Sequence, residues 1–326
     1  MDLADRIFAI KSISDFNRAC LEVFALQASR CAVYADYLSL LGVAPAAVQS
    51  ITAIPFLPIE FFKNHRVYSA GPDAEVIFSS SGTTGSVQSK HYVADAAIYR
   101  QSFRTAFEQF YGQPRDRAVL ALLPSYSERE GSSLIYMVDD LIRQSRHPQS
   151  GYFLYDHRAL RDVLLELKAK DTPTLLIGVT YALLDFVEAY GVDFPGLTVM
   201  ETGGMKGRRR EMIREEVHQR LCKGFNVAQI HSEYGMTELL SQAYAARDGR
   251  FHCPPWMKIF IRDTNDPFSG LGTGKTGAVN VIDLANIHSC AFIATQDLGK
   301  THDDGSFEVL GRFDQSDIRG CNLLIQ

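Results

Sequence analysis

Two uncharged, apolar runs, AVLALL at 118–123 and TLLIG at 174–178, limit the possible folds of this chain most strongly. Each has the length of a strand, and neither alternates polar with apolar residues, so both of its faces must be covered. Between them, Asp162–Lys170 carries its apolar residues at helical spacing. The theme repeats with a strand at Leu197–Met200, a helix near Arg208–Lys223 and a strand at Val227–His231. Strands joined by helices run parallel, because the helix supplies the crossover that returns the chain to the same end of the sheet. The expectation is an α/β body with a largely parallel sheet flanked by helices.

Upstream, residues 2–42 read as helices, with Phe16, Cys20, Val23 and Phe24 on one face. Ile54–Pro58 must be extended, since each proline pushes the residue before it out of the helical region. Glu75–Phe78 reads as a strand and Asp95–Tyr111 as a helix. After about residue 250, Gly and Asp turns separate short strands at 278–282, 289–294 and 307–309. The expected organisation is an α/β body over about 1–250 and a β-rich subdomain over 251–326.

Composition removes several functional classes. The net charge of −5 provides no dominant basic face for nucleic acid. The basic run Lys206–Arg210 reads as a solvated stretch opening a helix. The first dozen residues lack the order of a signal peptide, and no apolar stretch reaches the ~18 residues of a membrane span. The six cysteines are scattered without a CxxC pair, which suits reduced thiols in a cytoplasmic protein. His252–Cys253 has no second ligand pair, and Asp139–Asp140 reads as a solvated helix turn.

The segment SSSGTTGSVQSK, Ser79–Lys90, comes after a strand and is built from small residues. Glycines at 82 and 85 let backbone N–H groups approach an anion, and Ser80, Ser81, Thr83 and Thr84 add hydroxyl donors. Lys90 adds positive charge. Such a loop suits a polyphosphate, although a plain surface loop has the same composition. A second group, HSEYGMTE at 231–238, ends an apolar strand. Tyr234 can cover a purine face, Thr237 can donate to phosphate, and Glu238 can hold Mg²⁺ against phosphate oxygens. A strand-to-helix cap explains the same residues. A third group pairs Asp297, suited to ribose hydroxyls, with Arg312, suited to ribose or phosphate. Gly274–Lys275–Thr276 lacks the upstream glycine of a Walker loop and reads as a hairpin turn.

In this order the three groups resemble the adenylate-forming superfamily of acyl-CoA synthetases, luciferases and peptide-synthetase adenylation domains. The resemblance implies ATP and Mg²⁺ as cofactors, with Ser80, Ser81, Gly82, Thr83, Thr84 and Gly85 around the phosphates. It places Glu233, Tyr234, Gly235, Gly203 and Gly204 at the adenine, and Asp297 and Arg312 at the ribose. Lys90, Thr237 and Glu238 take catalytic roles, and Glu238 takes the Mg²⁺. The implied fold is the large α/β adenylation domain of the acyl-CoA synthetase/luciferase type, parallel-rich and helix-flanked, with a β-rich C-terminal subdomain. The chain stops at Gln326, so the small C-terminal lid domain with its catalytic lysine is expected to be absent.

Ile54–Ile59, Phe62–Lys63, Pro124–Tyr126, Gly131–Asp139 and Arg319–Cys321 narrow the resemblance to the fatty acyl-protein synthetases of bacterial bioluminescence systems. That family activates a carboxylic acid as acyl-AMP, moves the acyl group to a cysteine near its own C-terminus, and passes it to a reductase. By that resemblance Cys321 is the acyl acceptor, with Arg319 favouring its thiolate; a small buried hydrophobe is the alternative. His231 could touch the substrate or be a satisfied strand-end histidine. Ser132, Ser133 and Tyr136 could line an acyl pocket, although a helix N-cap explains the serines as well. An aryl- or acyl-CoA ligase and a non-catalytic nucleotide-binding subunit remain alternatives. The expected partners are the acid and an acyl-accepting reductase or carrier protein, with no nucleic acid and no membrane span.

Overall fold

The computed structural model describes residues 2–71, 73–80, 87–203 and 212–313. The chain divides into two units whose segments interleave: Met1–Ser102, Met236–Ser241 and His252–Gln326 in the first, Phe103–Gly235 and Gln242–Phe251 in the second. Thus the expected boundary near residue 250 marks a return to the first unit, and the first hundred residues group with the β-rich part.

The first unit opens with α1 (Leu3–Phe8), α2 (Ile13–Arg30) and α3 (Ala32–Leu40). Ser12 caps α2 by accepting from Asp15 N, and Phe16, Cys20, Val23, Phe24 and Gln27 form its buried face. The proline-rich stretch supplies the short β1 (Leu57–Pro58), and α4 (Phe61–Asn64) comes next. A hairpin of β2 (Val76–Ser79) and β3 (Lys90–Val93) flanks the Ser/Gly/Thr loop, with Ser79 opposite Lys90. Helix α5 (Ala96–Tyr111) then carries the chain across the division.

In the second unit β4 (Ala118–Leu122), α6 (Ser133–Ser145), β5 (Gly151–Tyr152), α7 (His157–Ala169), β6 (Thr174–Val179), α8 (Thr180–Ala189), β7 (Leu197–Thr202), α9 (Arg214–Phe225), β8 (His231–Tyr234) and β9 (Ala243–Ala245) succeed one another. The sheet order is β5-β4-β6-β7-β8-β9, parallel except for β9. Every residue of β4 and β6 is buried, as runs without alternation require. Gly178 is needed there, since a Cβ would lie 2.8 Å from Leu122 Cβ.

The chain returns to the first unit with β10 (Met257–Arg262), β11 (Gly270–Leu271), β12 (Gly277–Asp283), β13 (Phe292–Thr301) and β14 (Phe307–Arg312). These pair antiparallel, while β1 joins β13 in parallel, which ties the N-terminal segment into this sheet. Gln27 strengthens the tie: its amide donates to Asn286 O at 2.6 Å and Ile287 O at 3.0 Å and accepts from Ala291 N at 2.9 Å. Arg262 latches three strands, donating to Val279 O, Asn280 Oδ1 and Thr295 O at 2.8, 2.6 and 2.7 Å. Among the described residues no helix is long and apolar enough to cross a membrane.

Two strand expectations are corrected. The strand expected at 227–231 begins at His231, because Asn226 caps α9 in the left-handed region (φ 52°) and pairing starts only at Met200↔His231. The strand expected at 289–294 starts at Phe292 and runs to Thr301, since Asp283–Ser289 forms turns first. The Asp139–Asp140 expectation is also corrected. Asp140 is buried and takes both Arg104 Nε (2.8 Å) and Nη2 (2.7 Å).

Candidate active site

Within the first unit, the ends of the Ser/Gly/Thr loop are laced together. Ser80 N donates to Ser89 O at 3.1 Å and Ser89 N donates to Ser80 Oγ at 3.0 Å. Ser81, Gly82, Thr83, Thr84 and Gly85 lie outside the described residues, as do Gly204, Arg319 and Cys321. On the far side of the loop the side chains alternate as in a strand: Ser89 and His91 are buried, and Lys90 between them is exposed.

Glu238 is buried in this unit. Burial pushes its carboxyl up, against a hydrogen bond from Ser89 and the charges of Arg312 and Lys63. The segment around it is held by side chains. His91 Nδ1 lies 2.8 Å from Thr237 O and must donate, since a carbonyl only accepts. Asn286 Nδ2 donates to Glu238 O at 2.8 Å. Asp283 accepts from Leu240 N at 2.7 Å and Ser241 Oγ at 2.5 Å. Burial pushes the Asp283 carboxyl up to about 6 despite these donors, and pushes His91 down to about 4. Thr237 is half-buried.

Asp297 and Arg312 face each other across β13 and β14, with Arg312 Nε 3.5 Å from Asp297 Oδ1. The Asp297 side chain is 9% exposed and that of Arg312 is 71% exposed, so the guanidinium is open to a ligand. Mg²⁺ bound to a nucleotide takes most of its ligands from phosphate and water, and needs one or two carboxylates. The buried carboxylate of Glu238 fits that demand. Among the described residues no cluster of three potential metal ligands exists.

In the second unit, Gly203 comes directly after β7 in the left-handed region (φ +64°), and its carbonyl lies 2.9 Å from Thr180 Oγ1. The ends of β7 and β8 carry two carboxyls in adjacent register, Glu201 opposite Ser232 and Thr202 opposite Glu233. Burial alone would raise Glu201, but hydrogen bonds from His218 and Ser232 and the charge of Arg214 bring it below its ordinary value. Glu233 is pushed up to about 7 by burial, with the Glu201 charge adding to it, against the 2.5 Å hydrogen bond from Thr202 Oγ1. Gly235 admits this carboxyl, since a Cβ there would lie 2.5 Å from Glu233 Oε1.

Tyr234 is largely buried, edge-on to Phe251 with ring centroids 5.9 Å apart. His231 opens β8, with Nδ1 3.2 Å from Tyr111 OH; burial and the charge of Arg117 lower its basicity. Ser132 caps α6 by accepting from Ile135 N, Ser133 is buried, and Tyr136 packs against Phe103 at 6.4 Å.

The residues that sequence reasoning missed are those supporting the site: Ser89, His91, Asn286, Asp283, Glu201 and Thr202. Only the alternation around Lys90 signals any of them, by placing positions 89 and 91 inward.

The family model described as "Acyl-protein synthetase, LuxE" matches residues 11–326. No curated protein matches the chain. Among solved structures it is similar to ATP-bound MatB from Rhodopseudomonas palustris, at 19% identity and a TM-score of 0.55, over 75% of this chain and 49% of MatB. It is also similar to a 2-hydroxyisobutyryl-CoA ligase in complex with 2-HIB-AMP and CoA, at 12% identity and a TM-score of 0.70, over 94% of this chain and 77% of the ligase. A third is the luciferase-like enzyme from the nonluminescent mealworm Zophobas morio, at 16% identity and a TM-score of 0.51, over 76% and 60% of the two chains. The chain thus spans about half the length of the MatB structure it matches. At these identities the structures establish the fold, an α/β adenylation domain of the acyl-CoA synthetase/luciferase type. The family match covers nearly the whole sequence, and the chain belongs to the LuxE acyl-protein synthetase family.

Proposed function

We propose that this chain activates a carboxylic acid with ATP and passes the acyl group to a thiol, its own Cys321. In the first step a carboxylate oxygen attacks the α-phosphorus and the bond to pyrophosphate breaks, leaving acyl-AMP. In the second the Cys321 thiolate attacks the acyl carbon, the bond to AMP breaks, and the thiol proton goes to solvent. A straight-chain fatty acid as substrate, and onward transfer to a reductase, are inferred from the family.

One observation carries the reading: within one unit, three sequence-distant groups converge on a carboxylate. The Glu238 carboxyl is lowered by the hydroxyl of Ser89, the neighbour of Lys90, and by the charge of Arg312, which faces Asp297. Lys90 and Arg312 would offset phosphate charge, Asp297 would accept from ribose hydroxyls, and Glu238 would hold Mg²⁺, which neutralises charge on the phosphates when bound. The alternative acceptors are poor. Cys20, Cys31, Cys222, Cys253 and Cys290 all have thiols pushed up by burial, Cys20 to about 12, so none is prepared as a thiolate.

The test is intact-mass measurement after incubation with ATP, Mg²⁺ and each of a panel of straight-chain acids. The expected result is a gain equal to the acyl group, absent in C321S, while C321S keeps acid-dependent pyrophosphate exchange. Acylation that survives in C321S would move the acceptor elsewhere, and no exchange with any acid would remove the activation step.

A further inference from the structure

We propose that His91, Asn286 and Ser89 are positioning residues that fix the Thr237–Glu238 dipeptide against the strand leaving the phosphate loop. Glu238 and Lys90 are thereby presented to one metal–phosphate group in a single geometry. The inference rests on the ATP reading above.

Thr237 and Glu238 lie in a turn outside any strand ladder, so their carbonyls have no sheet partners. Buried carbonyls require donors. Here both donors are side chains distant in sequence: His91 Nδ1 on Thr237 O and Asn286 Nδ2 on Glu238 O. A third side chain, the Ser89 hydroxyl, lowers the Glu238 carboxyl against the effect of its burial. Backbone and carboxylate of one residue are therefore held from two directions.

Two of these contacts come from the residues on either side of Lys90, Ser89 just before β3 and His91 within it. Ser89 and His91 point inward while Lys90 points outward, so the rigid pleat that displays the lysine also grips the carboxylate. Ser89 is in turn laced to Ser80 at the other end of the loop. A displacement of β3 would move the lysine and the carboxylate together.

Space-filling alone does not account for His91. It is fully buried, with Phe62 edge-on at 5.7 Å, and its Nε2 has no hydrogen-bond partner. Asn286 Oδ1 is likewise buried without one. An apolar ring at 91 would fill the space without an orphaned nitrogen. What the imidazole supplies is the donor on Thr237 O.

The test is metal-dependent ATP binding by the full chain. Mn²⁺ is titrated in the presence of ATP and tracked by loss of the free-ion EPR signal; metal-free ATP binding is measured by calorimetry and folding by thermal melting. Asn carries its NH₂ on Cγ, where His carries Nδ1, so H91N keeps the donor and H91F keeps only the volume. H91F and N286A are expected to weaken Mn²⁺·ATP binding by about tenfold, the worth of one hydrogen bond, and H91N by under about threefold. Metal-free ATP binding should change by under about twofold in all three, since the clamp acts on the metal carboxylate. S89A, which leaves both carbonyl bonds intact, should weaken the metal complex like N286A, and serves if H91F does not fold. Folded variants that bind Mn²⁺·ATP like wild type would overturn the clamp, as would H91N losing as much as H91F. Equal losses with and without metal would also overturn it. Wild type that binds no ATP would instead remove the functional reading, and this inference with it.

Discussion

Two sets of buried polar groups, one in each unit, are built in opposite ways. In the first, neutral or permanently charged donors meet backbone carbonyls: His91 on Thr237 O, Asn286 on Glu238 O, Gln27 on Asn286 O and Ile287 O, Arg262 on Val279 O and Thr295 O. In the second, two carboxyls on neighbouring strands have side-chain partners instead: Thr180 and His218 for Glu201, Thr202 for Glu233. The first arrangement fixes backbone and holds the groups proposed to meet phosphate. The second stores a proton near neutral pH, beside the strand ends expected to receive a purine.

The largest effect is expected where the first arrangement is most concentrated. Burial pushes Arg262 down to about 10, and it still donates to three acceptors on two strands. R262A removes all three bonds and leaves Val279 O only its bond from Thr295 Oγ1, a loss of about 3–5 kcal/mol in urea unfolding. A loss under about 1 kcal/mol would mean that the latch is redundant.

A smaller, pH-dependent effect isolates the second arrangement. Glu233 is raised from 4.5 to about 7, so between those pH values the folded state holds a proton that the unfolded state has released. Stability from this group is therefore present below about 4.5 and lost as pH rises through about 7. E233Q cannot titrate, so the stability difference between E233Q and wild type should shift in favour of E233Q across that window, by up to roughly 3 kcal/mol. A difference flat in pH would show that the two carboxyls do not share their environment as described.

The groups of the first unit differ in how readable they were. The Ser79–Lys90 loop and the 231–238 segment each gather their candidate residues within a few positions, so pattern alone proposes them, whereas Asp297 and Arg312 meet only because β13 and β14 pair. His91 and Asn286 are single polar residues whose partners lie far along the chain, and no spacing announces them. The uncharged runs at 118–123 and 174–178 revealed the parallel sheet because burial on both faces leaves no alternation. Strand ends were harder: the apolar stretch before His231 reads as strand, yet the left-handed Asn226 delays pairing. Asp139 and Asp140 are identical in type, and only the tertiary position of Arg104 buries one and leaves the other partly exposed.

The smallest effect separates two readings of Ser132. It accepts from Ile135 N as the cap of α6. S132A should cost about 1 kcal/mol of stability and leave the KM for acid unchanged in pyrophosphate exchange. A raised KM with unchanged stability would assign the hydroxyl to the acid instead.

The most direct measurement tracks oxygen atoms. With a fatty acid labelled with ¹⁸O in its carboxylate, ATP, Mg²⁺ and the full chain, attack on the α-phosphorus leaves one carboxylate oxygen on AMP once the acyl group is transferred. The expected product is AMP carrying a single ¹⁸O. ADP as the nucleotide product, carrying no label, with ¹⁸O in orthophosphate, would place the attack on the γ-phosphorus and contradict it.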